Sequence, residues 1–214
     1  MKIKETDFTH RQAVQFFKQF AESLLGTGHL ETNDFYDKEV LNKKILKIVR
    51  KSNLNLVIDH RNEIKKLAEQ FSADNYLEVS VIFYALYFEH TLNYIIFLQL
   101  TKVKKSNEVI KNIIKKSNIE EKLGWVLELI GLPKINSKYK KVIISVSKER
   151  NIFIHYKWLE DTMDYRINLK NLTKSTEINK AITYLKKYES KLKFNGNKNI
   201  WKKSRKKRIK GNLI

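Results

Sequence analysis

The chain has no cysteine, one proline and only six glycines. Without cysteine there is no disulfide framework, no thiolate metal site and no cysteine nucleophile. The scarcity of proline and glycine argues against the many tight turns of a β-sandwich and against a solenoid, and it favours long helices. The sequence also lacks a phosphate-binding glycine loop, a dinucleotide glycine fingerprint, a His-Glu-x-x-His motif and a Gly-x-Ser-x-Gly motif. The enzyme classes that are most readily recognised from sequence are therefore absent.

Arginine is also scarce, since it supplies seven of the 43 basic residues, although the net charge is +20. About half of that excess lies in residues 191–214, which contain ten basic residues and no acidic one. This tail is either a disordered end that keeps the chain soluble or an arm that binds phosphates. If it is an arm, we expect it to bind RNA through six side chains: Lys202, Lys203, Arg205, Lys206, Lys207 and Arg208.

The N-terminal residues show no apolar run of the kind that a signal peptide has. Residues 79–100 form an apolar stretch long enough to cross a membrane, but Glu89 and His90 lie near its middle. We therefore predict a buried helix in a cytoplasmic protein that has no membrane partner.

Apolar residues recur with helical spacing through most of the chain, which predicts an all-α fold. We predict an N-terminal helical extension over residues 1–72, a bundle of four to five helices over 73–194 and a basic tail over 195–214. Residues 54–58 fit a short strand or a helical turn equally well. The predicted helices cover residues 9–25, 37–51, 59–71, 74–101, 107–116, 118–130, 139–160 and 175–194.

One predicted helix, residues 139–160 with a cap at Asn136 or Ser137, carries apolar side chains on most of its faces. A helix with this pattern lies inside a bundle. Its middle nevertheless contains Arg150, Asn151 and His155, which are costly to bury without partners. The combination predicts a functional site on a central helix.

Arg150 and Asn151, followed by three apolar residues and His155, resemble the motif of the HEPN superfamily. The resemblance covers about residues 74–194 and includes an earlier apolar helix that carries Glu89. Many HEPN proteins are metal-independent ribonucleases of toxin–antitoxin, abortive-infection and CRISPR systems, so the resemblance implies a HEPN-like bundle that cleaves RNA. One HEPN subgroup has a tyrosine two residues after the histidine, where this chain has Lys157.

The three polar residues suit cleavage of RNA by its own 2′-OH. An imidazole titrates near neutral pH and can transfer protons, whereas a guanidinium stays charged and binds two phosphate oxygens. Asn151 lies four residues before His155, on the same helix face, and can orient the ring or the substrate. Arg150 lies about 140° around the helix from His155, so a long arginine reach, a bent last turn or a second protomer must bring them together. Glu89 is a candidate to orient either residue.

A second protomer supplies the second histidine that acid–base catalysis needs, so we expect a homodimer through the 139–160 helix. The expected function is that of a metal-independent endoribonuclease without a cofactor, which leaves 2′,3′-cyclic phosphate and 5′-OH ends. We expect toxin–antitoxin or anti-phage duty, restrained by a cognate antitoxin or a regulatory protein or RNA. The alternatives are a non-catalytic RNA-binding module of the same fold and a helical interaction subunit of a defence complex. Arg150 would then be only a structural partner of Glu89.

Overall fold

The computed structural model describes residues 10–51, 59–156, 169–172, 176–194, 196 and 200–203. Within these ranges every regular element is a helix, which confirms the predicted all-α class. The chain divides into two compact units: residues 1–55 with 190–214, and residues 56–189. The predicted strand or turn at residues 54–58 lies outside the described residues.

The first unit contains α1 (His10–Gly26), a 3-10 helix (Thr32–Tyr36) and α2 (Lys38–Lys51). The 3-10 helix was not predicted, and it begins where the Glu31 N–H donates to the Asp34 carboxylate at 2.8 Å. Asp34 is buried and pairs with the Lys44 ammonium at 2.7 Å, which offsets the cost of burying its charge. The core of this unit is a cluster of apolar side chains: Ala21, Leu24, Leu25, Leu30, Phe35, Leu41, Ile45 and Ile200.

The remaining helices, which include a short helical stretch at 169–172, belong to the second unit, and most of their bounds agree closely with the sequence prediction. The predicted helix 118–130 is instead divided into two short α-helices with a π-helix between them. In chain order, the helices other than the stretch 169–172 are α3 (Arg61–Ala73), α4 (Leu77–Lys102), α5 (Asn107–Lys116), α6 (Ile119–Glu121), a π-helix (Lys122–Val126), α7 (Leu127–Leu129), α8 (Ser137–Tyr156) and α9 (Thr176–Lys193). The last residues of α9, 190–193, belong to the first unit.

α4 is the centre of the second unit, as the sequence predicted. Thirteen of its 26 residues are buried, and α3, α5 and α8 all pack against it. Among the described residues it is the one helix long and apolar enough to cross a membrane, and 56% of its most apolar window is buried within the protein. A core helix passes that test of length and composition as readily as a membrane span does.

An ion-pair network stabilises one end of the second unit. The Arg61 guanidinium donates to the Glu189 carboxylate at 2.6 Å and to the Asp59 carboxylate at 2.7 Å, and it lies 4.4 Å from the centre of the Tyr94 ring. Burial alone would lower the pKa of Arg61, but the hydrogen bonds to Asp59 and Glu189 raise it above its ordinary value. The network therefore joins α3, α4 and α9 around a permanently charged group.

Two local predictions differ from the structure. Asp74, predicted to cap the start of α4, instead ends α3, because its own N–H donates to the Gln70 carbonyl at 2.9 Å. Asn75 then takes a positive φ of 64°, a conformation that asparagine tolerates better than most residues do. α4 therefore begins three residues later than predicted, at Leu77.

The beginning of the basic tail also differs from a disordered end. Residues 200–203 are helical, and Ile200 is buried in the core of the first unit. The Trp201 ring packs edge-on against Phe35 at 4.9 Å, and its Nε1–H donates to the Glu22 carboxylate at 2.9 Å. The units also differ from the predicted segments, since residues 56–72 group with the bundle and the tail groups with the N-terminal helices.

Candidate functional site

α8 positions the candidate site against the central helix of its unit. Its first turn is capped by Asn136, whose side-chain oxygen accepts a hydrogen bond from the Lys138 N–H at 3.0 Å. Ile143, Val146 and Ser147 are buried on the face that packs against α4. Arg150 lies one turn further along that same face, so the helix directs it toward α4.

The structure brings Arg150 and Glu89 together. A guanidinium nitrogen of Arg150 lies 4.0 Å from a carboxylate oxygen of Glu89, which is an ion pair but too long for a hydrogen bond. The Arg150 side chain is 24% exposed and that of Glu89 is 36% exposed. The Nε atom of Arg150 is buried and has no hydrogen-bond partner within the part of the chain that the structure describes. The arginine therefore retains donor capacity at the candidate site.

Glu89 also faces a lysine that the sequence analysis did not select. The Lys122 ammonium lies 3.5 Å from the other carboxylate oxygen of Glu89, and its side chain is only 2% exposed. Burial lowers the pKa of Lys122 below its ordinary 10.5, while the charge of Glu89 and a hydrogen bond to it act in the opposite direction. One carboxylate thus lies between two cations.

Lys122 lies where the helix changes its winding. Lys122 is the first residue of the π-helix, and Gly124 within it has φ −112° and ψ −112°, which are not helical angles. Three of the five residues of the π-helix are buried: Lys122, Leu123 and Val126. A π-turn is uncommon and is found frequently at functional sites.

Asn151 and His155 lie on a different side of α8 and are exposed. They share this outer face with Lys141 and Lys148, since 141, 148 and 155 follow one another at intervals of seven residues. Ile154, which precedes His155, is 54% exposed but lies about 100° around the helix from it. We call Lys141, Lys148, Asn151 and His155 the outer stripe of α8. It measures about 21 Å along the helix and carries two lysines, of which Lys148 pairs with Glu120 at 3.7 Å.

The predicted RNA-binding residues of the tail are only partly described. Lys202 and Lys203 are exposed in the helical residues 200–203. Arg205, Lys206, Lys207 and Arg208 lie outside the described residues, as do Lys157 and the last residues of the helix that the sequence predicted to reach 160.

The described residues contain no group of three or more His, Asp or Glu side chains placed to hold a metal ion. What they provide is an imidazole at the surface and a partly buried guanidinium on α8, and a buried ammonium that shares Glu89 of α4 with that guanidinium. Such groups can bind phosphate and transfer protons. Comparison of the chain with models of protein families, with curated proteins and with solved structures finds no match. The function of the site is therefore inferred from its own residues.

Two signals in the sequence point to Lys122. It lies three residues after Ile119 and four before Val126, on the apolar face of the predicted helix 118–130, where a lysine is unexpected. Gly124 also interrupts that helix, and an isolated glycine inside a helical pattern marks a local irregularity. Neither signal names Glu89 as the partner, because that contact joins residues 33 positions apart.

Proposed function

We propose that the chain is a metal-independent endoribonuclease with a HEPN-like bundle, and that α8 carries its catalytic residues. The observation that carries the proposal is the placement of Arg150 against Glu89 on the same helix as the exposed His155. Lys122 and Arg150, which share the single carboxylate of Glu89, and Lys141 of the outer stripe add positive potential to which the phosphates of RNA can bind.

The reaction begins with the 2′-OH of the substrate. Its oxygen attacks the adjacent phosphorus while a base removes its proton, and the bond from phosphorus to the 5′ oxygen then breaks as an acid protonates that oxygen. The products are a 2′,3′-cyclic phosphate and a 5′-OH. His155 transfers the protons, Asn151 orients the ring or the substrate, and Arg150 binds the oxygens of the charged intermediate. Glu89 positions Arg150 from α4.

The same proposal includes a homodimer. His155 is the one histidine that the proposal places on the catalytic helix, and a single imidazole cannot act on both sides of a phosphate, so a two-fold axis beside the outer stripe supplies the second imidazole. Ile154, exposed beside His155, supplies apolar area for such a contact. The proposed biological role is in a toxin–antitoxin system or in anti-phage defence. A cognate antitoxin or a regulatory protein or RNA would inhibit the activity.

Replacement of His155 tests the proposal. The His155→Ala variant is expected to lose cleavage of a labelled single-stranded RNA by at least about a hundredfold, the usual contribution of one proton-transfer group. His60→Ala is the matched control, because His60 is exposed and its side chain makes no capping hydrogen bond. Unchanged cleavage by a folded His155→Ala variant contradicts the proposal, and so does equal loss in the control.

One observation favours the alternative of a non-catalytic RNA-binding module. The Arg150 guanidinium is directed inward to Glu89 and is three-quarters buried, as suits a structural ion pair. In that case the wild-type protein binds RNA with strong salt dependence and does not cut it. Incubation of intact RNA with the wild-type protein separates the two functions.

A further inference from the structure

A groove between the start of α8 and α9 has no part in the proposed cleavage site. It has a volume of about 420 Å³, within the range of sites that bind small ligands. The tyrosines Tyr139 and Tyr184 line it, and their rings stack on each other at 4.6 Å with 28° between their planes. We call it the tyrosine groove.

Hydrogen bonds hold the aromatic side of the tyrosine groove in place. The Tyr184 hydroxyl accepts from the Asn136 N–H at 3.1 Å, and the neighbouring Tyr188 hydroxyl donates to the Pro133 carbonyl at 2.7 Å. Both lining rings are half-buried, so part of each remains accessible. The Tyr184 ring, which is fixed in this way and stacks on Tyr139, loses little conformational freedom when a flat group binds beside it.

Polar side chains line the rest of the groove from one face of α9. Asn179, Thr183 and Lys187 recur at four-residue intervals, and Lys180 lies three residues before Thr183, so all four line the same side of α9. The two lysines are exposed and lie two turns apart, about 10 Å along the helix. Lys180 pairs with the nearby Glu177 carboxylate at 2.8 Å, whereas no ion pair of Lys187 is found among the described residues. Lys187 therefore has a full charge to offer a ligand.

We propose that the tyrosine groove binds an unpaired base of single-stranded RNA, with Lys187 and Lys180 on the flanking phosphates. Aromatic rings inside a basic groove are the combination that proteins use to hold single strands, because every base has a face that stacks and every linkage is an anion. Asn179 lines the groove, and its amide carries both the donors and the acceptor that a base edge can bond. The inference rests on the proposed function, which supplies RNA as the ligand, and it selects unpaired RNA as the substrate.

Binding of labelled nucleic acid to the full chain tests the groove. Fluorescence anisotropy is measured with a single-stranded RNA of about ten nucleotides, the matching DNA strand and the duplex RNA. The chain carries His155→Ala, which keeps the RNA intact. Added Tyr139→Ala is expected to weaken single-stranded RNA binding about tenfold, whereas Tyr139→Phe, which keeps the stack, retains the affinity. Duplex RNA offers no free base and should not respond.

A second pair of variants, at two lysines of α9, tests the groove even if Tyr139→Ala does not fold. Lys187→Glu is expected to weaken single-strand binding and to flatten the dependence of log affinity on log salt. Lys186→Glu is its control, since it makes the same charge change at an exposed neighbour that does not line the groove. Equal effects of the two lysine variants overturn the proposal.

The remaining outcomes separate the groove from the cleavage site and identify the ligand. Equal affinity of Tyr139→Ala and Tyr139→Phe overturns the groove, and so does an equal loss for duplex RNA. If Tyr139→Ala weakens the binding of DNA and RNA single strands equally, the groove recognises the base by stacking alone. If it weakens the binding of RNA more, the groove also contacts the ribose. If the wild-type chain does not cut RNA, the cleavage proposal fails while the binding results still decide the groove.

Discussion

Removal of the Glu89 charge is the perturbation whose effect on stability can be estimated most closely from the structure. Glu89→Gln leaves the Lys122 ammonium, 2% exposed, without the carboxylate 3.5 Å away, and it also removes the ion-pair partner of Arg150. A buried cation without a partner destabilises a fold more than the loss of a surface ion pair does.

Three considerations give the expected loss of folding stability in Glu89→Gln. Two unit charges at 3.5 Å attract by about 5 kcal/mol at an effective dielectric constant of about 20. Removal of one partner from a fully buried pair costs about 3–5 kcal/mol, while an exposed pair contributes about 0–1 kcal/mol. Since Glu89 is 36% exposed, water screens the pair in part. We therefore expect Glu89→Gln to lower the free energy of unfolding by about 2 kcal/mol at neutral pH.

The pH dependence of this loss has a definite sign. The pKa of Lys122 is lower in the folded state than its ordinary 10.5, and without Glu89 it falls further. Between the folded-state pKa and the unfolded value, the unfolded chain binds more protons, so stability rises with pH in that window. The window is wider in Glu89→Gln, so the stability difference from the wild type is largest near neutral pH and shrinks as the pH approaches 10.5.

Urea denaturation followed by circular dichroism, at about pH 7 and about pH 9.5, measures both quantities. Lys122→Met replaces the buried ammonium with an apolar side chain, and in that background Glu89→Gln should cost much less than it does alone. Glu63→Gln, an exposed carboxylate on α3, is the matched control. Equal stability of Glu89→Gln and the wild type at neutral pH refutes the reasoning. So does a loss of stability from Glu89→Gln that is as large in the Lys122→Met background as in the wild type.

Three further predictions follow from other parts of the chain. Arg61→Met should lower the free energy of unfolding by about 3–5 kcal/mol, because the side chains of Arg61 and Glu189 are only 13% and 16% exposed. An unchanged midpoint in urea denaturation would contradict this prediction. Deletion of residues 204–214 leaves the packed Trp201 in place and should reduce the slope of log affinity for RNA against log salt concentration. An unchanged slope means that the deleted residues do not bind RNA. Light scattering during size exclusion should find a dimer, and a monomer that still cleaves RNA contradicts the composite site.

The sequence was sufficient to predict most of the α-helices and the centre of the bundle. A long apolar segment such as that of α4 is stable in water when neighbouring helices bury it, so its helical class and its approximate bounds follow from the local pattern. The meeting of Arg150 with an acid on α4 was also anticipated, because a buried guanidinium needs a partner and Glu89 is the acid in the middle of that helix.

The features that the sequence did not predict depend on packing between distant residues. The ion pair of Lys122 with Glu89 joins residues 33 positions apart, and the π-turn that begins at Lys122 depends on what packs against the helix. Trp201 stands among basic residues and suggests a solvated tail, yet its ring is packed against Phe35. Composition describes a segment as a whole, whereas a single aromatic side chain is buried by whatever surface lies within its reach.

The chemistry of the ends that the protein leaves on RNA is the most direct test of the proposed function. The wild-type chain is incubated with an all-ribose RNA and with the same strand carrying 2′-deoxyribose throughout, and the termini are identified by mass spectrometry. Attack by the 2′-OH predicts 2′,3′-cyclic phosphate and 5′-OH ends from the ribose strand, no cut in the deoxy strand, and no cleavage by folded His155→Ala. Ends with a 3′-OH and a 5′-phosphate, or cleavage of the deoxy strand, contradict the proposal.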